Sequence, residues 1–262
     1  MKSYYLKILV IAAILSMACT TKVSEWVLMN SVADKYLLVY YHNGTIPASV
    51  KQQHNELEKI TKTANLQFKT VLKEGNEKSH YGLYYKNRLI SEYADYNSIR
   101  TIAFSALREK IATELLEGKL CVMLYLKSGN REKDETNLKM VKNTINSSPF
   151  GNIITVLELD RNSAEESHFV NLLLNVESDL KEINEPMLFG VFGRFRTLEP
   201  LLAKGISEEN INHLINFLTA DCSCLIKDDL PGMSILCDVS WENPQPAMVN
   251  SIMDANPHLE HN

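Results

Sequence analysis

The run Leu120-Cys121-Val122-Met123-Leu124-Tyr125-Leu126, closed by Lys127-Ser128-Gly129, decides how the rest of the chain is read. A continuous apolar run ending in a turn signal reads as a strand. A charged helix follows, with Leu138, Val141 and Ile145 on its inward side, and Ile153 to Leu159 reads as the next strand. Strand, helix and strand in succession require a right-handed crossover and a parallel strand pair. Phe169 to Leu174 adds a helical segment, and Met187 to Phe192 with Leu198 to Ala203 read as a second strand pair. Ser207 caps a last helix, with Glu208 and Glu209 in its first turn and Ile211, Leu214, Ile215 and Leu218 inward.

Upstream of Leu120 the same order has already occurred once. Glu25 to Val32 is helix-like, and Tyr36 to Tyr41 is a β-rich run that stops at His42-Asn43-Gly44. Pro47-Ala48-Ser49 opens a helix with Val50, Leu57 and Ile60 on one face, and Leu66 to Leu72 reads as a strand. Two strands, Tyr81 to Tyr85 and Leu89 to Tyr93, are joined at Lys86-Asn87-Arg88. Ser98 is expected to cap a long helix through Ile99, Ile102, Ala103, Ala106, Leu107, Ile111 and Leu115, stopped by Gly118. Each half therefore reads β-α-β, then β-β-α. The expected fold class is α/β, with a mixed sheet flanked by helices in each half. The boundary falls near Gly118–Lys119, giving units at 19–118 and 119–220 and a C-terminal extension at 221–262.

The chain has 262 residues, 45% of them hydrophobic and 23% charged, with Gly 10 and Pro 8. These values exclude a disordered, collagenous or fibrous chain. The net charge of −5 argues against a dedicated nucleic-acid binder, which needs a basic footprint. Residues 1–18 read as a targeting segment: Lys2 and Lys7, an apolar run from Ile8 to Leu15, then Ser16-Met17-Ala18 before Cys19. That apolar run is shorter than the roughly 20 residues that a bilayer span takes.

The arrangement L-S-M-A-C resembles a bacterial lipoprotein signal, with Leu15 one place further from the cysteine than the usual pattern. The resemblance implies lipidation of Cys19, a palmitate-type anchor in a membrane, and a globular part in the bacterial cell envelope on the periplasmic side. Removing 1–18 leaves 25 basic against 32 acidic residues, a net charge of −7. Such a chain is held at a membrane by its lipid and not by headgroup attraction.

The element order is similar to the thioredoxin fold, twice over. Glu185-Pro186-Met187-Leu188-Phe189 looks like the thioredoxin segment in which a cis proline leads into a strand, which implies a cis bond at Pro186. The redox members of that family carry C-x-x-C between the first core strand and its helix. Here those places hold His42-Asn43-Gly44-Thr45-Ile46-Pro47 and Lys127-Ser128-Gly129-Asn130-Arg131, with no cysteine. The resemblance thus implies tandem thioredoxin-like domains without the family's catalytic residues. Residues 189–241, with F-G-R-F-R-T-L-E-P-L, F-L-T-A-D-C-S-C, K-D-D-L-P-G and D-V-S-W, also look like bacterial envelope proteins of unassigned role.

The remaining chemical candidates are Cys222, Cys224 and Cys237. Four readings are open for them: a structural disulfide of Cys222 or Cys224 with Cys237, a labile redox pair at Cys222-Ser223-Cys224, a soft metal site with Cys237 as third ligand, or free thiols. Cys121 reads as a small core residue. Arg194 and Arg196 are either a clamp for an anion or partner carboxylate or a solvated turn. The seven histidines form no metal-binding spacing, and no hydrolase signature is present. The expectation is a non-catalytic binding or scaffold protein with no cofactor, no metal and no nucleic acid, bound to a membrane and to an envelope partner. The competing expectation is a thiol–disulfide protein or sensor working through Cys222 and Cys224.

Overall fold

A computed structural model describes residues 21–75, 78–223, 226–227 and 230–261. It is an α/β protein with two mixed sheets of four and six strands. Helix α1 (Val23–Asn30) leads into strand β1 (Tyr36–His42) and helix α2 (Ala48–Ile60). Strands β2 (Leu66–Leu72), β3 (His80–Tyr85) and β4 (Arg88–Tyr93) complete the first sheet, in the order β2-β1-β3-β4. β1 pairs parallel with β2 and antiparallel with β3. Helix α3 (Ala106–Leu116) then leads to β5 (Cys121–Lys127), α4 (Arg131–Ser147), β6 (Ile154–Asp160), α5 (Ser167–Leu173) and β7 (Met187–Phe192). β5 repeats the pattern of β1, parallel to β6 and antiparallel to β7.

Three short strands finish the second sheet: β8 (Arg196–Thr197), β9 (Leu201–Leu202) and β10 (Met233–Ser234), around helix α6 (Glu208–Thr219). Of the strand expected from Leu198 to Ala203 only Leu201–Leu202 is extended, as β9, and β8 lies just before it. Both pair with β7, and β10 from the C-terminal extension adds to β8. A last helix, α7 (Val249–Ala255), packs in the core on the far side of the second sheet.

Strand alternation sorts the side chains into two cores. Val122, Leu124 and Leu126 face Tyr36, Leu38, Tyr40, Leu57, Ile111, Leu115 and Phe169 in one core shared by both sheets. Cys121, Met123 and Tyr125 face Val23, Val27, Val141, Ile145, Ile211 and Ile215 in the other. The layers run from α1, α4 and α6, through the six-stranded sheet, to α2, α3 and α5, and end at the four-stranded sheet.

Helix α1 precedes the first sheet in sequence yet covers the outer face of the second. Its close approach is made possible at Gly193, which has φ +57 and where a Cβ would lie 2.3 Å from Val27 Cγ1. Arg194 then holds the helix end, with Nε donating to Leu28 O at 2.8 Å. With α1 spent on the second sheet, the first sheet has helices on one face only among the described residues. Both sheets are flanked by helices as expected, the second on both faces.

Two further local expectations are corrected. The helix expected from Ser98 begins at Ala106, with Ser105 as cap: its Oγ accepts from Arg108 N. Residues 98–104 instead form turns started by Asp95, whose Oδ1 accepts from Ser98 N at 3.0 Å. The Arg108 guanidinium occupies the carbonyls that a continuous helix would have used, those of Thr101, Ile102 and Phe104. No described peptide bond is cis, so the Glu185–Pro186 bond is trans, contrary to the cis form the resemblance implied. At the start of α6 the expected cap is present, with Ser207 Oγ accepting from Asn210 N at 3.2 Å.

Candidate functional site

The Cys121 and Cys237 thiols are disposed against reactive chemistry. Cys19 and Cys224 lie outside the described residues, and so does any pairing of Cys222 with Cys224. Cys237 is a free thiol 2% exposed in the core shared by the two sheets. Cys222 is buried in the other core, on the opposite face of the six-stranded sheet. Cys222 and Cys237 therefore form neither a disulfide nor two ligands of one metal. Burial pushes the Cys237 and Cys121 thiols up to about 12, which leaves them protonated and inert at neutral pH. Among the described residues no group of three His, Cys, Asp or Glu could hold a metal ion.

The positions where a thioredoxin would carry its thiols are filled by the chain itself. At the start of α4, Asp134 Oδ1 accepts from Ser128 N at 2.9 Å and Oδ2 from Gly129 N at 3.0 Å. The donors that would stabilise a thiolate are already satisfied by this carboxylate. After β1, His42 Nδ1 lies 2.6 Å from Gly44 O.

Arg196 is likewise committed inward. Its Nη1 donates to Gly232 O at 2.7 Å and its Nη2 to Asp34 Oδ2 at 3.0 Å. The carboxylate partner considered for it is thus internal. Asp34 also accepts from the Tyr85 hydroxyl at 2.6 Å and pairs with Lys86 at 3.5 Å. These bonds hold the Asp34 carboxyl below its ordinary range despite an opposing cost of burial, which is the largest single influence on it.

The uncovered face of the first sheet is the feature that the sequence did not single out. Tyr36, Leu38 and Tyr40 point into the core, so Leu37, Val39 and Tyr41 point outward. Strand register sets their neighbours in rows. Gln67, Leu37, Tyr84 and Leu89 form one row; Lys69, Val39, Gly82 and Glu92 the next; Val71, Tyr41 and His80 the third. A groove of about 410 Å³ runs across the first two rows, lined by Lys35, Lys69, Lys86, Tyr41 and Tyr84 over Leu37 and Val39.

The two tyrosines meet with their hydroxyls 2.9 Å apart. The bond to Tyr41 is the main cause that lifts Tyr84 to about 12. Tyr84 is therefore neutral, and a hydrogen-bonded pair of phenols uses only one of its two protons internally. Lys73 Nζ lies 4.5 Å from the Tyr41 ring centre, and the His80 ring packs 5.1 Å from it. His80 also reaches Glu92 at 3.6 Å. The third row is thus engaged by Lys73 and Glu92, Val39 in the second row is 2% exposed, and the accessible surface lies over Leu37, Lys69 and Leu89.

Gly82 makes the tyrosine pair possible. A Cβ there would lie 2.9 Å from Tyr84 Cε2 and 3.3 Å from Tyr41 Cε2. The Gly82→Ala variant is expected to fold, because the obstructing atoms belong to side chains at the surface, but to push Tyr84 off Tyr41. Its Tyr84 titration, followed by NMR of labelled tyrosine, should move back toward 10. An unchanged titration would show that the glycine has no part in the pair.

No family model matches this chain. A comparison with curated proteins likewise finds no significant match. No helix among the described residues is long and apolar enough to cross a membrane.

Proposed function

We propose that this is a lipid-anchored protein of the bacterial cell envelope, held at the membrane through Cys19. In this reading it is built from two thioredoxin-like units that carry no redox chemistry. Its work is non-catalytic binding, and the uncovered face of the first sheet is where an envelope partner docks. That face is the observation that carries the proposal: among the described residues every other sheet face is covered by helices, and this one presents lysines, tyrosines and Leu37 and Leu89 instead. The leader ending at Cys19 supports the anchor. The absence of cysteine after β1 and β5, with Asp134 filling the second of these places, supports the loss of redox activity. The repeated strand order of the two sheets supports the thioredoxin-like reading.

Two measurements test this. The Cys19→Ala variant is expected to accumulate unprocessed precursor and to lose labelled palmitate, and normal maturation of that variant would overturn the anchor. The wild-type protein is expected to leave a model dithiol–disulfide pair unexchanged. Exchange that disappears in Cys222→Ser would replace the binding reading with a redox one.

A further inference from the structure

We propose that the groove over Leu37 and Val39 takes an acidic, extended peptide segment of a partner protein, one carrying aliphatic side chains between its carboxylates. This rests on the binding-module reading above and names the chemistry of the partner.

Charge is the first argument. The chain is acidic overall, at −5, yet the groove is lined by Lys35, Lys69 and Lys86 and by no carboxylate among the described residues. Lys86 shares Asp34 with Arg196, whereas Lys35 and Lys69 form no ion pair among the described residues. Basic side chains left without counter-charges on an acidic protein steer and select an anionic partner.

Hydrogen bonding is the second. The Tyr41–Tyr84 pair holds one proton between its oxygens and has a second to donate, and the Gln67 and Asn87 amides stand beside it in the same groove. Lysine, phenol and amide donors together suit carboxylates. The third argument is the floor. Leu37 lies half-buried between the lysines, Val39 closes the base of the groove at 2% exposure, and Leu89 continues the Leu37 row at 44% exposure. An alternation of charge and aliphatic surface fits a peptide in which every second side chain faces the sheet. A nucleic acid would need open ring faces for stacking, whereas Tyr41 is engaged by Lys73 and His80, and Tyr84 lies over Gly82. A membrane surface is flat, and this site is concave.

The test uses the mature protein and a fluorescein-labelled peptide of alternating glutamate and leucine, followed by anisotropy. Three comparison probes accompany it: the same peptide with lysine in place of glutamate, heparin, and vesicles containing phosphatidylglycerol. Saturable binding of the acidic peptide is expected, with loss of about tenfold or more in Lys35→Glu/Lys69→Glu. Both lysines are exposed, so that double variant should melt with the wild type. The proposal is overturned if the acidic peptide shows no saturable binding, if the double variant binds it equally well, or if heparin or vesicles bind more tightly. Cys19-dependent maturation and the lack of thiol exchange are read separately. Failure of the peptide alone therefore removes this inference and leaves the binding module standing.

Discussion

The Arg108→Met variant is expected to lose about 3–5 kcal/mol of stability, the cost of leaving several carbonyls without their donor. Arg108 is 2% exposed and uses all five of its N–H donors. Nε donates to Ser105 Oγ at 3.1 Å, Nη1 to Ile102 O and Leu236 O, and Nη2 to Thr101 O and Phe104 O. Methionine matches much of the volume and none of the donors. It would leave the Ile102 and Leu236 carbonyls, from two separate segments, without these partners in the core, at about 1–3 kcal/mol each, and would also release the part-buried carbonyls of Thr101 and Phe104. Burial pulls the guanidinium down to about 10, still well above neutral, so it is a charge at working pH and is held by carbonyl dipoles. For a chain of this size the melting temperature should fall on the order of 10 °C. Arg108→Lys should fall between the two, because one ammonium has three donors for five acceptors. A melt of Arg108→Met within a degree or two of wild type would show that the carbonyls find other donors. It would also remove the account given above for why the helix begins at Ala106 and not at Ser98.

The strands were legible because their signal is local. The apolar runs at 36–41 and 120–126, and the turn residues after them, fix element type without knowledge of partners. The helix start at Ser98 was misread for a related reason. Ile99, Ile102 and Ala103 have helical spacing, and their burial is real, but a long-range guanidinium outcompetes the local backbone pattern. The destination of α1 had no sequence signal at all. Val23 and Val27 show that the helix has an apolar side and do not show which sheet receives it. The open face left a partial trace in β2, where Leu66 and Phe68 alternate with Gln67 and Lys69 as a half-covered strand should. In β1 that trace is masked, since Leu37, Val39 and Tyr41 are as apolar as the residues on the core side. Cys121 reads as a core residue from its apolar run and is buried, whereas no sequence signal places Cys222 and Cys237. Their division between two cores is set by where the C-terminal extension runs, which is a tertiary fact.

Removal of residues 231–262 is expected to abolish cooperative folding of both halves. The sequence divides the chain near Gly118–Lys119, and autonomous units would tolerate the loss of an extension at 221–262. The structure runs that extension between them. Met233, Ile235, Leu236 and Cys237 are each at most 4% exposed and belong to the core that joins the two sheets. Ser234 O accepts from the Tyr36 hydroxyl at 2.8 Å, and Asn65 Oδ1 accepts from Cys237 N at 3.0 Å, so β1 and the start of β2 are held by it. On the other side β10 pairs with β8, and Arg196 loses Pro231 and Gly232 as acceptors. Ala247 and Val249 leave the second core as well. Met233, Ile235, Leu236 and Val249 at about 1.5–3 kcal/mol each already amount to a figure comparable with the whole stability of a domain, about 5–15 kcal/mol. The truncated chain should therefore show a dispersionless NMR spectrum and no cooperative melt. A cooperative transition close to that of the full chain would instead establish two units that fold alone, and would reduce the extension to a surface strap.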